Sequence, residues 1–162
     1  MSGSERDSEN HGRVALSICV TCRPAGWTGG DEERPGARLA NAIEDAAEQG
    51  ATKPITVRRI RCMSQCKRPC VVAFSGDDRF TYVFGDLDPA IDAATVLSCF
   101  DLYREKPDGY MDRWERPETM RDGLVGRIPP LGSTHRFVAH EREIEPGIET
   151  DTTISKAECS EA

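Results

Sequence analysis

The sequence predicts an α/β fold, and three observations predict it. Short apolar runs with strand alternation recur near residues 13–20, 55–60, 71–74 and 80–84. Two longer stretches between and after them repeat their apolar residues at helical spacing. Gly, Pro and Asp punctuate the boundaries where one period gives way to the other.

Each element follows from its own residues. Arg13 to Val20 alternates and ends apolar, as in a buried strand that leads into Cys19 and Cys22. A Gly/Pro loop, Arg23 to Arg34, comes next. The helix after it carries Leu39, Ala42, Ile43 and Ala46 on one side, with Pro35 near its first turn and Gly50 near its end. Ile55 to Ile60 forms a second strand, which runs into Cys62 and a cysteine loop ending at Cys70. Val71 to Phe74 and Phe80 to Phe84 are two strands joined through Ser75-Gly76-Asp77-Asp78, a hairpin signal. Asp88-Pro89 reads as cap and first residue of a helix that buries Ala93, Val96, Leu97 and Phe100 and runs to about Tyr103.

The order is thus β-α-β-β-β-α. The first two strands, joined through a helix, should be parallel, with the hairpin added at one side. That is the order of a thioredoxin-like core, expected over residues 13–103. Beyond it, residues 104–139 are rich in Pro and Gly and read as an irregular extension with a short helix near Pro117 to Asp122. Tyr110, Trp114, Met120, Ile128 and Leu131 are its candidates for packing onto the core. Residues 1–12 read as a disordered leader and 140–162 as an acidic disordered tail.

The chain has 162 residues and a formal net charge of −7, enough length for one domain with a real core. The acidity belongs to the ends. Residues 1–12 carry a net −2 and residues 141–162 a net −5, while 13–140 is balanced. Bulk charge therefore gives no argument for a nucleic-acid partner. No apolar run is long enough to cross a membrane. The first residues are polar and acidic, unlike a secretory signal, so a cytoplasmic protein is expected.

Seven cysteines without an export signal point to metal binding or redox chemistry rather than structural disulfides. Cys19-Val-Thr-Cys22 and Cys62-Met-Ser-Gln-Cys66-Lys-Arg-Pro-Cys70 each follow a predicted strand. In a parallel βαβ unit the carboxyl ends of both strands lie on one edge of the sheet, so the two groups should meet. Four thiolates from two loops can then surround one centre. Such soft donors favour an iron–sulfur cluster or zinc over hard cations. An oxidised [2Fe-2S] cluster with four thiolates carries a charge of about −2 and becomes more negative on reduction. Arg58, Arg59, Arg61, Lys67 and Arg68, with no acid among them, offer compensation. Arg61, Lys67 and Arg68 are the candidates for tuning the cluster or docking an acidic partner; a solvated strand edge is the plainer reading of the run.

Cys66 is preferred over Cys70 as the fourth ligand because C-x2-C with C-x3-C resembles the ligand pattern of thioredoxin-like [2Fe-2S] ferredoxins, where two loops each give two cysteines. Cys70 remains open as a replacement, a spare or a packed apolar residue. Cys99 reads as a buried structural thiol and Cys159 as an exposed bystander. Zinc accepts four cysteines and is the first rival. A dithiol oxidoreductase is the second, with Pro69 as its candidate cis-proline. The loop after Cys22 argues against it, because that chemistry starts a helix at the motif. His11, His135 and His140 read as surface histidines. No Ser/His/Asp set, paired acid motif or phosphate loop is visible, and an electron carrier or metal-binding protein is expected rather than an enzyme.

Five stretches carry a family resemblance: C-V-T-C-R-P-A-G, P-G-A-R-L, C-M-S-Q-C-K-R-P-C-V-V-A-F, F-T-Y-V-F-G-D-L-D-P and D-R-W-E-R-P-E-T-M-R-D-G-L-V-G-R-I-P-P. Over roughly residues 14–131 the chain resembles an uncharacterised family of predicted metal-binding proteins of thioredoxin-like [2Fe-2S] ferredoxin type, often linked with cobalamin biosynthesis. The resemblance implies Cys19, Cys22, Cys62 and Cys66 as ligands, with Cys70 the family's extra cysteine. It implies a single-electron carrier or a zinc- or cobalt-handling accessory protein. The implied partner is a redox or metal-handling protein, and a homodimer is left open.

Overall fold

The computed structural model describes residues 12–31, 33–51, 53–144 and 146. In chain order the elements are β1 (Val14–Cys19), α1 (Pro35–Gly50), β2 (Val57–Ile60), β3 (Val72–Gly76), β4 (Thr81–Phe84), α2 (Ala93–Glu105), α3 (Glu118–Asp122) and β5 (Leu124–Ile128). Of the expected leader 1–12, residues 1–11 lie outside the described residues, as do 145 and 147–162 of the expected tail 140–162.

One five-stranded sheet runs in the order β2-β1-β3-β4-β5. β1 and β2 are parallel, with Leu16 opposite Val57 and Cys19 opposite Ile60. β3 is antiparallel to β1, with Leu16 opposite Phe74 and Ile18 opposite Val72. β4 is antiparallel to β3, with Phe74 opposite Tyr82. This β1-α1-β2 unit followed by a hairpin on the far side of β1 is the thioredoxin-like order. It places the ends of β1 and β2 at the same sheet edge.

The register gathers the core. Leu16, Ile18, Val72, Phe74, Tyr82 and Phe84 share one face, and none is exposed. α1 supplies Leu39, Ala40 and Ile43 to the core, and α2 supplies Val96, Phe100 and Tyr103. Phe74 is its hub, with ring centroids 5.1 Å from Phe84 and 5.2 Å from Phe100. Rings in such tilted and edge-on contacts add to what their burial alone contributes. The buried Tyr103 hydroxyl donates to Phe80 O at 2.8 Å, so its polar end is satisfied.

Several expectations shift by a few residues. The α1 stripe is Gly36, Leu39, Ala40 and Ile43, while Ala42 and Ala46 are half-buried. β2 starts at Val57 rather than Ile55. α2 starts at Ala93, with Asp92 as its N-cap. Asp88-Pro89 instead opens a separate turn, in which Asp88 Oδ1 accepts from Ala90 N–H and Asp92 Oδ2 accepts from Asp88 N–H.

The extension is more regular than its composition suggests. It adds α3 and then β5, which pairs antiparallel with β4 through a bulge near Val83 and Phe84. Met120 is buried as expected and Tyr110 half-buried. Trp114, Ile128 and Leu131 instead stand 80%, 62% and 96% exposed, and Met111 fills the core position.

Candidate metal centre

β1 ends between its two neighbours, and this fixes where the cysteines go. On one side Val20 N–H donates to Ile60 O at 2.9 Å; on the other Cys19 N–H donates to Val71 O at 3.0 Å. Thr21 Oγ1 hydrogen-bonds to Arg61 O, closing the two loops on each other. The Cys19–Cys22 turn thus begins beside the strand end that precedes Cys62 and beside Val71, the residue after Cys70.

Twelve loop positions, 23–34, separate Cys22 from α1 in sequence, yet the loop brings the helix back. Gly36 N–H donates to Cys22 O at 3.1 Å. A Cβ at Gly36 would lie 2.1 Å from Cys19 O and 2.9 Å from Cys22 Cβ, so only glycine allows this approach. The first turn of α1 thus does meet the C-x2-C turn, contrary to what the intervening loop suggests.

The five thiols fall into two sets. Cys19, Cys22 and Cys70 are buried, whereas Cys62 and Cys66 are exposed. Burial pushes the Cys22 thiol up to about 12, helped by the hydrogen bond and like charge of Cys19 and by Cys70. Burial, then Cys19 and Asp88, push Cys70 up to about 11, with Arg38 opposing. Cys22 and Cys70 thus stay protonated near neutral pH, and a soft cation among them would displace protons. On the exposed side, Cys62 Sγ accepts from Ser64 N–H at 3.4 Å, with Ser64 in the left-handed region at φ 55.

Among the described residues, no three His, Cys, Asp or Glu side chains stand together as a ready-made cage. What fits a thiophilic centre is the donor chemistry: five cysteine thiols on two loops that follow β1 and β2, three of them buried.

The basic run divides as well. Arg59 points to the helix side, bonded to Glu44 and to Asn41 Oδ1 at 2.7 Å. Arg68 is engaged with Asp86 and two backbone carbonyls, which removes it from the set free to dock a partner. Arg61 and Lys67 remain exposed. The cis bond in this loop is Pro69–Cys70, following Pro69 rather than preceding it. Cys99 is buried as expected, 3.9 Å from Met111 Sδ, and Cys159 lies outside the described residues. Of the histidines, His11 is outside them too, His140 is exposed, and His135 is half-buried against Tyr110 with ring centroids 4.6 Å apart.

Two contributions escaped the sequence reading: Gly36 as the contact point of helix and cysteine turn, and the Arg68 anchor. P-G at a helix start signals only the start, and an arginine in a basic run looks like its neighbours.

The fold and site define a thioredoxin-like α/β protein with two cysteine loops at one sheet edge. The chain belongs to the family described as "Protein of unknown function (DUF1636)", which matches residues 16–130. That is nearly the stretch over which the motifs carry the resemblance. No curated protein matches. A solved thioredoxin-like [2Fe-2S] ferredoxin from Aquifex aeolicus is similar at 18% identity and a TM-score of 0.44, over 74% of this chain and 96% of that one. Among the described residues no helix is long and apolar enough to cross a membrane.

Proposed function

We propose that the protein is a metal-binding protein whose cysteine loops hold a [2Fe-2S] cluster, and that it moves single electrons without turning over a substrate. The observation that supports this is the β1 terminus, hydrogen-bonded to Ile60 on one side, two residues before Cys62, and to Val71 on the other, one residue after Cys70. Cys19 and Cys22 supply the buried donors, Cys62 and Cys66 the solvent-side donors. Cys70, beside the buried pair, is the fifth thiol. Bound there, a cluster would supply a one-electron couple.

The chain's own part is to hold the thiols, exclude water from Cys19 and Cys22, and present Arg61 and Lys67 to an acidic redox partner. The six cysteines among the described residues are free, which suits the reducing cytoplasm. A dithiol reductase needs an accessible thiolate of lowered pKa. Here both thiols of the C-x2-C turn are buried and Cys22 is shifted the opposite way.

Anaerobic purification tests the proposal. The expected product is brown, with iron and acid-labile sulfide in equal amounts, both lost in Cys62→Ser and Cys66→Ser. A colourless protein with stoichiometric zinc or cobalt would replace the electron carrier with an accessory metal-binding protein. A cluster spectrum retained in Cys66→Ser but lost in Cys70→Ser would transfer the fourth position to Cys70.

A further inference from the structure

Arg68 lies midway between Cys66 and Cys70, and its guanidinium reaches out of the cysteine loop altogether. Nε donates to Asp86 Oδ2 at 2.7 Å, NH1 to Leu124 O at 3.3 Å and NH2 to Asp122 O at 3.2 Å. Asp122 is the last residue of α3 and Leu124 the first of β5. One side chain therefore joins the loop to the corner after β4 and to the α3–β5 junction. A charged donor bonded three ways, with a planar fork that fits a carboxylate, is worth more than a single surface ion pair.

The backbone repeats the connection. Asp86 N–H donates to Arg68 O at 3.1 Å, and Gly85 N–H to Gly123 O at 2.8 Å. A Cβ at Gly85 would stand 2.6 Å from Arg68 O, and one at Gly123 would stand 2.5 Å from Gly85 O. Arg68, Gly85 and Gly123 are thus stacked at backbone contact. Just beyond, Cys70 and Leu87 exchange hydrogen bonds, each N–H donating to the other's carbonyl at 3.3 Å.

The geometry points to Arg68 as a positioning residue that makes the C-terminal extension a working part of the cysteine site: α3 and β5 hold the Cys66–Cys70 loop in place through it. The inference rests on the proposed cluster only for why the loop must be held; the clamp itself is a property of the metal-free chain. Without the clamp, the loop opens locally and Cys70 loses its cover.

The test compares wild type, Arg68→Ala, Arg68→Lys and Asp86→Asn. Asn is chosen because position 86 has φ 59, which Asn tolerates. In the metal-free protein, each cysteine's reaction with a thiol reagent is followed by peptide mass mapping, with buried Cys99 as an internal gauge of global unfolding. Cys70 labelling is expected to accelerate by about tenfold or more in Arg68→Ala, through local opening. It accelerates less in Asp86→Asn, Arg68→Lys recovers part of the protection, and Cys99 is unchanged. Iron and sulfide per chain after reconstitution fall in the same order.

Unchanged Cys70 labelling in both Arg68→Ala and Asp86→Asn overturns the inference, as does a rise at Cys70 matched at Cys99. Should Arg68→Ala fail to fold, Asp86→Asn gives the reading. Faster Cys70 labelling in a protein whose wild type takes up no iron or sulfide supports the clamp and rejects the cluster.

Discussion

Gly36 shows how much a single position can decide. Its missing side chain lets the first turn of α1 rest on the cysteine turn, with Cys19 O occupying the space a Cβ would need. The obstruction is backbone, which cannot rotate away. Gly36→Ala is expected to destabilise the fold by about 1–3 kcal/mol and to lower metal loading, because the C-x2-C turn must shift. Urea denaturation and metal analysis check this, and an unchanged midpoint would show that the helix simply slides. The cysteines themselves were legible, since chemistry-bearing residues at close spacing announce themselves. Gly36 and Arg68 were not, because their roles are contacts with segments far away in sequence.

At the scale of elements, α2 is fastened at both ends by groups from outside it. At its start, Asp88 O accepts from Asp92 N–H at 3.0 Å, so the turn opened by Asp88 feeds into the helix. Asp88 and Asp92 both offer capping chemistry, and only the tertiary position of the turn chooses between them. At its end, buried Arg79 donates to the carbonyls of Tyr103, Arg104 and Lys106, tying the β3–β4 turn to groups a helix leaves unpaired. Between these ends sits Cys99, whose thiol burial pushes from its ordinary 9.0 up to about 12, opposed by Arg116. The folded state therefore holds this proton more tightly than the unfolded chain. The stabilisation is complete below pH 9 and declines as pH rises towards 12. Denaturation midpoints of the metal-free protein are expected to fall above pH 9. In Cys99→Ala the fall is shallower, by on the order of 1 kcal/mol per pH unit; equal slopes would remove Cys99 as the source. β5 was missed as an element because Gly126 sits in its middle and Pro129-Pro130 follows, both signals of a loop.

For the whole molecule, the strand order followed from one rule, that strands joined through a helix run parallel, and from one turn signal. What the rule left open was the far edge of the sheet, because pairing between β4 and a segment some forty residues later leaves no local trace. β4 is Thr-Tyr-Val-Phe, an uncharged run whose outer hydrogen bonds are taken by β5. A chain ending after Arg116 is expected to self-associate, measured by light scattering, and to label faster at Cys70. A monodisperse truncated protein would show that β4 is protected by other means. The two outermost strands that do face solvent are short and carry guanidinium groups: Arg58 and Arg59 on β2, Arg127 on β5. Neither rim invites recruitment of a foreign strand into the ladder, so the sheet can leave its cysteine loops at an open end without also offering a seed for fibrils.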